Sequence, residues 1–400
     1  MAERQPIQTR LPVSQCSGGK RRAQEIIAQA NNQFALNLFK HIAADTHEGE
    51  RNDPKNIFFS PLSISSAFAM LSLGAKSQTL EHILEGLSLN QTQSTDQIHL
   101  GFEYLLRSLN KPKSDLKVNI GNAVFVEQST KILESFLQEL KQHYEAEILA
   151  SNFQAPEDAE KQINDYVKDK TDGKIERLVS DLDPDTKLLL VNYILFKGEW
   201  LSPFSPELTH RSKFSINENT TVEVEMMSRT GIYNIYKDDQ LPCFILQLPY
   251  KDNATMIVAV PELGKLSEVE EALSEKTITR WRTSGTESWA EINLPKFSIS
   301  SDLKLKSILC DMGMSNIFSK KADFSGITND EKLKVSKVVH KAVLDVNEKG
   351  TIAAASTAID MTPDMLMEQY NADKPFLVFI YSQDTNNILF MGRVVNPVEK

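Results

Sequence analysis

Residue types able to do enzymatic chemistry occur in this 400-residue chain, but not in working patterns. There is no Gly-x-Ser-x-Gly elbow to present a serine nucleophile and no His-Glu-x-x-His pair to hold zinc. Gly18-Gly19-Lys20 has the composition of a phosphate-cradling loop. It lacks the upstream Gly and the following Ser or Thr, and it lies in a polar leader. The histidines are scattered; His340, after Val338 and Val339, reads as a hydrogen-bonded structural residue within a strand. Cys16, Cys243 and Cys310 are far apart, have no metal-ligand spacing and cannot all pair within one chain. Cys243 and Cys310 read as semi-buried thiols, and Cys16 as exposed. No metal and no cofactor is implied, and the chain is not expected to be an enzyme.

The unusual segment runs from Gly350 to Lys374, GTIAAASTAIDMTPDMLMEQYNADK, between two strong strand patterns. Connections this long are functional or unstructured. Its first half is nearly uncharged, with small side chains alternating at Thr351, Ala353, Ala355 and Thr357. Small residues on one face let a strand slide between others without overpacking. Its second half, Met361 to Met367, offers apolar side chains suited to a protease pocket. On composition alone two other readings stay open: an unstructured surface loop, or a short Ala-rich helix.

The elements that would position this segment come in two blocks. From Gln24 the pattern is helical, with Ile26, Ile27, Phe34, Leu36, Leu38, Phe39 and Ile42 forming an apolar stripe. A short strand at Asn56–Ser60 leads into a helix with Ser60 at the N-cap and Pro61 at its first position. Residues 80–110 and 132–172 read as helical, with a strand at Lys117–Glu127 between them. From Leu188 strands dominate: 188–196, 221–227, 243–248, 255–260, 289–294, 334–346, 376–381 and 388–395. Helices first and strands second predict an α+β class in one domain over 24–400. Residues 1–23 are expected to be a disordered leader.

A net charge of −10 argues against a nucleic-acid partner. No apolar run reaches the ~18 residues of a membrane span. The leader lacks the apolar core of a secretory signal, so either the protein stays inside the cell or its signal was removed. Asn90, Asn219 and Asn253 stand in glycosylation sequons, which lean towards secretion.

Ordered stretches of sequence then narrow the reading. They include Asn56-IFFSPLSISSAFAMLSLGAK, Lys161-QINDYV, Val191-NYILFKGEW with Pro203-Phe204, and Leu294-PKF. Val339-HKAVLDVNEKGT, Lys374-PF and Leu389-FMGRVVNP complete the set. Through them the chain, from about residue 24 to its C-terminal end, resembles the serpin family and most of all the plasma group around alpha-1-antitrypsin. The resemblance implies three β-sheets, about nine helices and an exposed reactive-centre loop over 348–374. It also implies a metastable fold held by a kinetic barrier. A target serine protease would cut the loop, form an acyl-enzyme and be trapped as the loop inserts into the main sheet. The Gly-Arg-Val-Val-Asn-Pro ending resembles the secreted group, so the resemblance implies a secreted, extracellular glycoprotein.

By the same resemblance Glu348 and Gly350 begin the hinge, and Thr351, Ala353, Ala354 and Ala355 form its insertion segment. Lys296 and Glu348 match an ion pair at the top of the main sheet, and Trp200 the aromatic beneath it. Ser60, Ser63, Asn192 and His340 match a polar gate where the central strands part. Ile352 departs from the Glu usual in inhibitory members. Strand alternation turns residue 352 away from Thr351 and Ala353, so insertion is expected to survive. The family's spacing from Glu348 places the reactive bond at Asp364-Met365, flanked by Met361, Thr362, Pro363 and Leu366. An acidic residue there suits a protease with a basic pocket. The alternative is cleavage at Met361, Met365 or Leu366. The expected partner is therefore a serine protease, Asp-specific on this spacing, met by a serpin monomer. Heparin is not expected, since Ser77 to Gln93 holds no Lys or Arg. The competing function is that of a non-inhibitory plasma carrier of thyroid hormone or corticosteroid.

Overall fold

The computed structural model describes residues 13–45, 54–90, 94–110, 116–300, 303, 305–329, 333–351 and 367–399. The expected insertion residues Ala353, Ala354 and Ala355 lie outside the described residues. So do the bait residues Met361, Thr362, Pro363, Asp364, Met365 and Leu366.

Nine α-helices are found among the described residues, six of them before residue 171. The first, Val13–Asp45, begins well before Gln24. Part of the expected leader is thus helical, although burial starts only at Ala23, which is 6% exposed. Helix Pro61–Ser72 starts as its sequence dictates: the Ser60 side chain accepts from the Ser63 amide, and Pro61 needs no donor there. The stretch 132–172 is not one helix. Helix Glu134–Tyr144 stops at Glu145, whose φ is +51°, and helix Pro156–Lys170 starts at a proline. Between them Glu147–Ser151 is an edge strand, paired in parallel with Leu116–Glu127. Its weakly β-forming residues gave no strand signal.

The strands form two hydrogen-bonded sheets among the described residues, where three were expected. The cause is the strand Thr221–Lys237, which runs well past Met227. Its first half pairs with His210–Ser215 and its end with Cys243–Pro249, while Thr286–Pro295 follows most of its length. One continuous strand thus fuses two expected layers into a nine-stranded sheet.

The smaller sheet has six strands and positions the site. Leu188–Glu199 lies at its centre, antiparallel to Leu116–Glu127 on one side and parallel to Lys337–Val346 on the other. Both faces of this sheet are covered. Leu188, Leu190, Ile194 and Phe196 join the main core, to which helix Pro61–Ser72 belongs. Leu189, Val191 and Tyr193 pack with Ile163 and Val167 of helix Pro156–Lys170. This explains the nearly unbroken apolar run of the central strand, since only a strand buried on both faces lacks alternation.

Candidate functional site

The two central strands do not stay together. Their register runs from Leu189 with Lys337 to Leu195 with Val343 and then ends. Beyond it, Lys337–Val346 turns to Phe297–Ser300, while Leu188–Glu199 keeps its other partner, Leu116–Glu127. Into the mouth of this opening the chain folds back. Asn347 and Gly350 exchange backbone hydrogen bonds in a tight turn. Gly350 and Thr351 then pair antiparallel with Glu199 and Gly198. Gly350 has φ +126°, and a Cβ there would meet the Gly198 carbonyl oxygen at 2.3 Å. Only glycine fits.

The turn is tied down by residues from four directions. The Trp200 indole stacks on Tyr250, with ring centroids 4.3 Å apart. Its Nε1–H donates to the Asn347 carbonyl at 3.0 Å, and its backbone amide to that of Lys349. Phe204 N–H donates to the Glu348 carbonyl at 2.8 Å. The Glu348 carboxylate accepts from Thr209 Oγ1 at 2.8 Å and pairs with Lys296 Nζ at 3.3 Å. Lys296 also reaches Glu225 at 3.1 Å. Burial alone would raise the Glu348 carboxyl; its own amide, Thr209 and Lys296 outweigh that and hold it below the usual range. Burial alone would lower the Lys296 ammonium; Glu225 and Glu348 outweigh that and raise it. The group is charged and partly open to water, with Lys296 33% exposed.

Lower down, where the strands are still paired, lies a second polar group of different character. Asn122, Asn192 and His340 stand in register across three adjacent strands. The start of helix Pro61–Ser72 covers them. Ser60 N–H donates to His340 Nε2 at 3.2 Å, which fixes the tautomer: Nδ1–H then donates to Asn192 Oδ1 at 2.6 Å. Ser63 Oγ donates to the same oxygen at 2.7 Å. Asn192 Nδ2 donates to the Ser63 carbonyl and to Asn122 Oδ1. Asn122 Nδ2 donates to Ser66 Oγ at 3.0 Å. Asn192 and His340 are buried, and burial pushes the imidazole down to about 3, so the ring is neutral.

All nine described residues of the expected hinge, gate and breach therefore fall into these two groups along one strand pair. Sequence reading missed five of their partners: Asn122, Ser66, Thr209, Glu225 and Tyr250. Period-two alternation marks Asn122 as an inward polar residue on a buried strand, which is a usable signal. Thr209, just before strand His210–Ser215, and Glu225, in strand Thr221–Lys237, come from distant segments and carry no local sign. The three sequon residues, Asn90, Asn219 and Asn253, are exposed. Asn253, at φ +64°, donates its side-chain amide to Asp384 at 2.9 Å. Among the described residues no three acidic, His or Cys side chains gather to hold a metal, and no helix is long and apolar enough to cross a membrane.

Comparison with known proteins gives a consistent family. A family model described as Serpin (serine protease inhibitor) matches residues 29–397. Serine protease inhibitor A6 of Xenopus laevis is 45% identical over 375 residues, covering 94% of this chain and 84% of that protein. Alpha-1-antiproteinase 2 of Equus caballus is 44% identical, covering 94% and 89%. The crystal structure of human thyroxine-binding globulin is 40% identical, with a TM-score of 0.88, and covers 95% of this chain and 100% of that one.

Proposed function

Since the chain belongs to the serpin family, we propose that it is a secreted suicide inhibitor of a serine protease. The observation that carries this reading is the parted sheet. A slot flanked by Leu188–Glu199 and Lys337–Val346 has its entrance occupied by Gly350 and Thr351. Residues following Thr351 would continue that antiparallel pairing and, from Leu195 and Val343 on, part the two paired strands to become a further strand.

The chemistry belongs to the protease. Its serine attacks the Asp364 carbonyl carbon, the Met365 amine leaves, and the Asp364 acyl group remains on the enzyme. Insertion then carries the acylated enzyme away before water can cleave the ester. An Asp at the cut selects a protease with a basic pocket. Beside the loop's far end, Ile232 and Trp289 are register partners, 63% and 44% exposed. The register Glu368 with Ala290 puts Met367 next to Trp289. An exposed apolar patch at that place supports docking of a protein. Glycans on Asn90, Asn219 and Asn253 complete the proposal.

A panel of serine proteases, one of them Asp-specific, tests this on denaturing gels. The expected product is a covalent complex at the summed mass, with a released peptide beginning at Met365. Loop cleavage with neither a complex nor a gain in thermal stability would sink the inhibitory reading.

A second reading is favoured by one finding, the likeness to a thyroxine-binding globulin solved with thyroxine, 40% identical at TM-score 0.86. In that reading the chain carries a small apolar hormone. An open groove of about 510 Å³ along helix Glu275–Thr283 is lined only by polar and charged side chains, among them Lys276, Thr279, Arg280 and Thr283, and would suit only the polar groups of such a ligand. Calorimetric titration with thyroxine and with cortisol decides it: saturable binding without protease complexes supports the carrier.

A further inference from the structure

The chain carries adjacent basic residues at only two places, Lys20-Arg21-Arg22 and Lys320-Lys321. The second pair lies in a short turn between buried Phe318 and Phe324. The first lies at a boundary. Gly19, Arg21 and Arg22 are exposed, and the Arg21 side chain is 82% exposed, with a hydrogen bond to Glu25 one turn on. The next residue, Ala23, is 6% exposed. At this point the helix Val13–Asp45 meets helix Thr95–Leu109 so closely that a Cβ on Gly101 would come within 2.8 Å of the Ala23 carbonyl oxygen. From Ala23 on, the helix is built into the core, whereas Arg21 and Arg22 just before it are exposed.

Helical structure before Ala23 is also weak on its own terms. Gly18 and Gly19 each disfavour helix by about 1 kcal/mol relative to Ala. A Cβ on Gly19 would touch nothing within 4 Å, so no packing calls for the glycine. Proteases bind substrate in extended form, and helix ends without tertiary contacts open most readily.

We propose that Lys20-Arg21-Arg22 is a processing site for a protease specific for paired basic residues, cut at Arg22–Ala23. One water is consumed. The Arg22 carbonyl becomes a carboxylate, and the Ala23 nitrogen becomes an amino terminus. The cut frees the packed body from everything before it, including Cys16. Residues 350–373 contain no Lys or Arg. A basic-specific enzyme therefore processes the chain without consuming its loop, and the site stands whether or not the loop is inhibitory.

The test is digestion of the full chain with a dibasic-specific subtilisin-like convertase, followed by intact mass and thermal melting. The first product expected begins at Ala23, with an unchanged Tm and two thiols in denaturant in place of three. The double variant Arg21→Gln, Arg22→Gln should melt like the parent and release its leader at least tenfold more slowly. First cleavage elsewhere, equal release from the variant, or a product of lower Tm would each overturn the proposal. So would an uncut wild-type chain whose basic cluster instead retains it on immobilised polyanion.

Discussion

The strand pair Leu188–Glu199 and Lys337–Val346 is held in two different ways along its length. Where the strands are paired, the polar group across them is neutral and buried, and centres on Asn192. Where they have parted, the polar group is ionic and half-wet, with Lys296 between Glu225 and Glu348. The contrast is physical. A buried neutral network cannot exchange its partners for water, so separating it costs the full price of unsatisfied groups. An ion pair with one partner partly exposed, as Lys296 is, can trade that partner for solvent at modest net loss. The closed half resists opening, while the open half lets a strand enter.

The sharpest way to break this comparison is Asn192→Leu. It leaves the His340 Nδ1–H, the Ser63 hydroxyl and the Asn122 carbonyl oxygen without partners. At about 1–3 kcal/mol for each orphaned buried group, the loss should exceed roughly 3 kcal/mol. Thermal unfolding at neutral pH checks it. A loss below about 1 kcal/mol would show that Asn192 does not seal the strands.

His340 gives the next largest effect. Its folded value, about 3, lies below the ordinary 6.5, so the unfolded chain binds the proton more readily. The stability it contributes is complete above pH ~6.5 and is lost as pH falls towards 3. Between pH ~7.5 and ~5 the loss should be about 2 kcal/mol. His340→Gln should remove roughly half of the slope there, because burial lowers His99 to about 4 and it titrates in the same window. An unchanged slope would mean that other groups set it.

Much of this pair was legible in sequence, and the reasons are local. Ser60 and Pro61 announce a helix start by their chemistry, and the structure places them there. The run Leu188 to Phe196 and the pair Val338-Val339 before His340 mark buried strands. What could not be read depends on distant partners. Nothing near Thr209 or Glu225 says that both will meet the Lys296–Glu348 pair. Strand length was equally hidden: Thr221–Lys237 passes a change of partner without a break, so three expected sheets became two. The edge strand Glu147–Ser151 owes its state to main-chain pairing rather than to its side chains.

Gly350→Ala tests the open half from within. The new methyl collides with the Gly198 carbonyl, and φ +126° is closed to alanine. The segment can escape by lifting out, so the cost is capped by what its pairing is worth, about 1–2 kcal/mol. Trp200, which donates to Asn347, should report the release by a changed emission spectrum. Faster amide exchange at Gly198 and Glu199 should accompany it. Unchanged Trp200 emission would mean that the turn does not depend on the glycine.

The smallest effect is the one that distinguishes the halves best. Lys296→Ala leaves Glu348 its bond from Thr209 and exposes it further to water. With Lys296 one-third exposed, solvent screening limits the loss to about 0.5–1 kcal/mol. Because the Debye length shrinks to ~3 Å at about 1 M salt, the difference between variant and parent should nearly vanish there. Asn192→Leu, acting through neutral buried groups, should cost the same in low and high salt. Melting both variants at about 0.05 M and about 1 M salt therefore separates the two kinds of hold. If the Lys296→Ala loss survives high salt undiminished, the open half is sealed as firmly as the closed one, and strand entry needs another explanation.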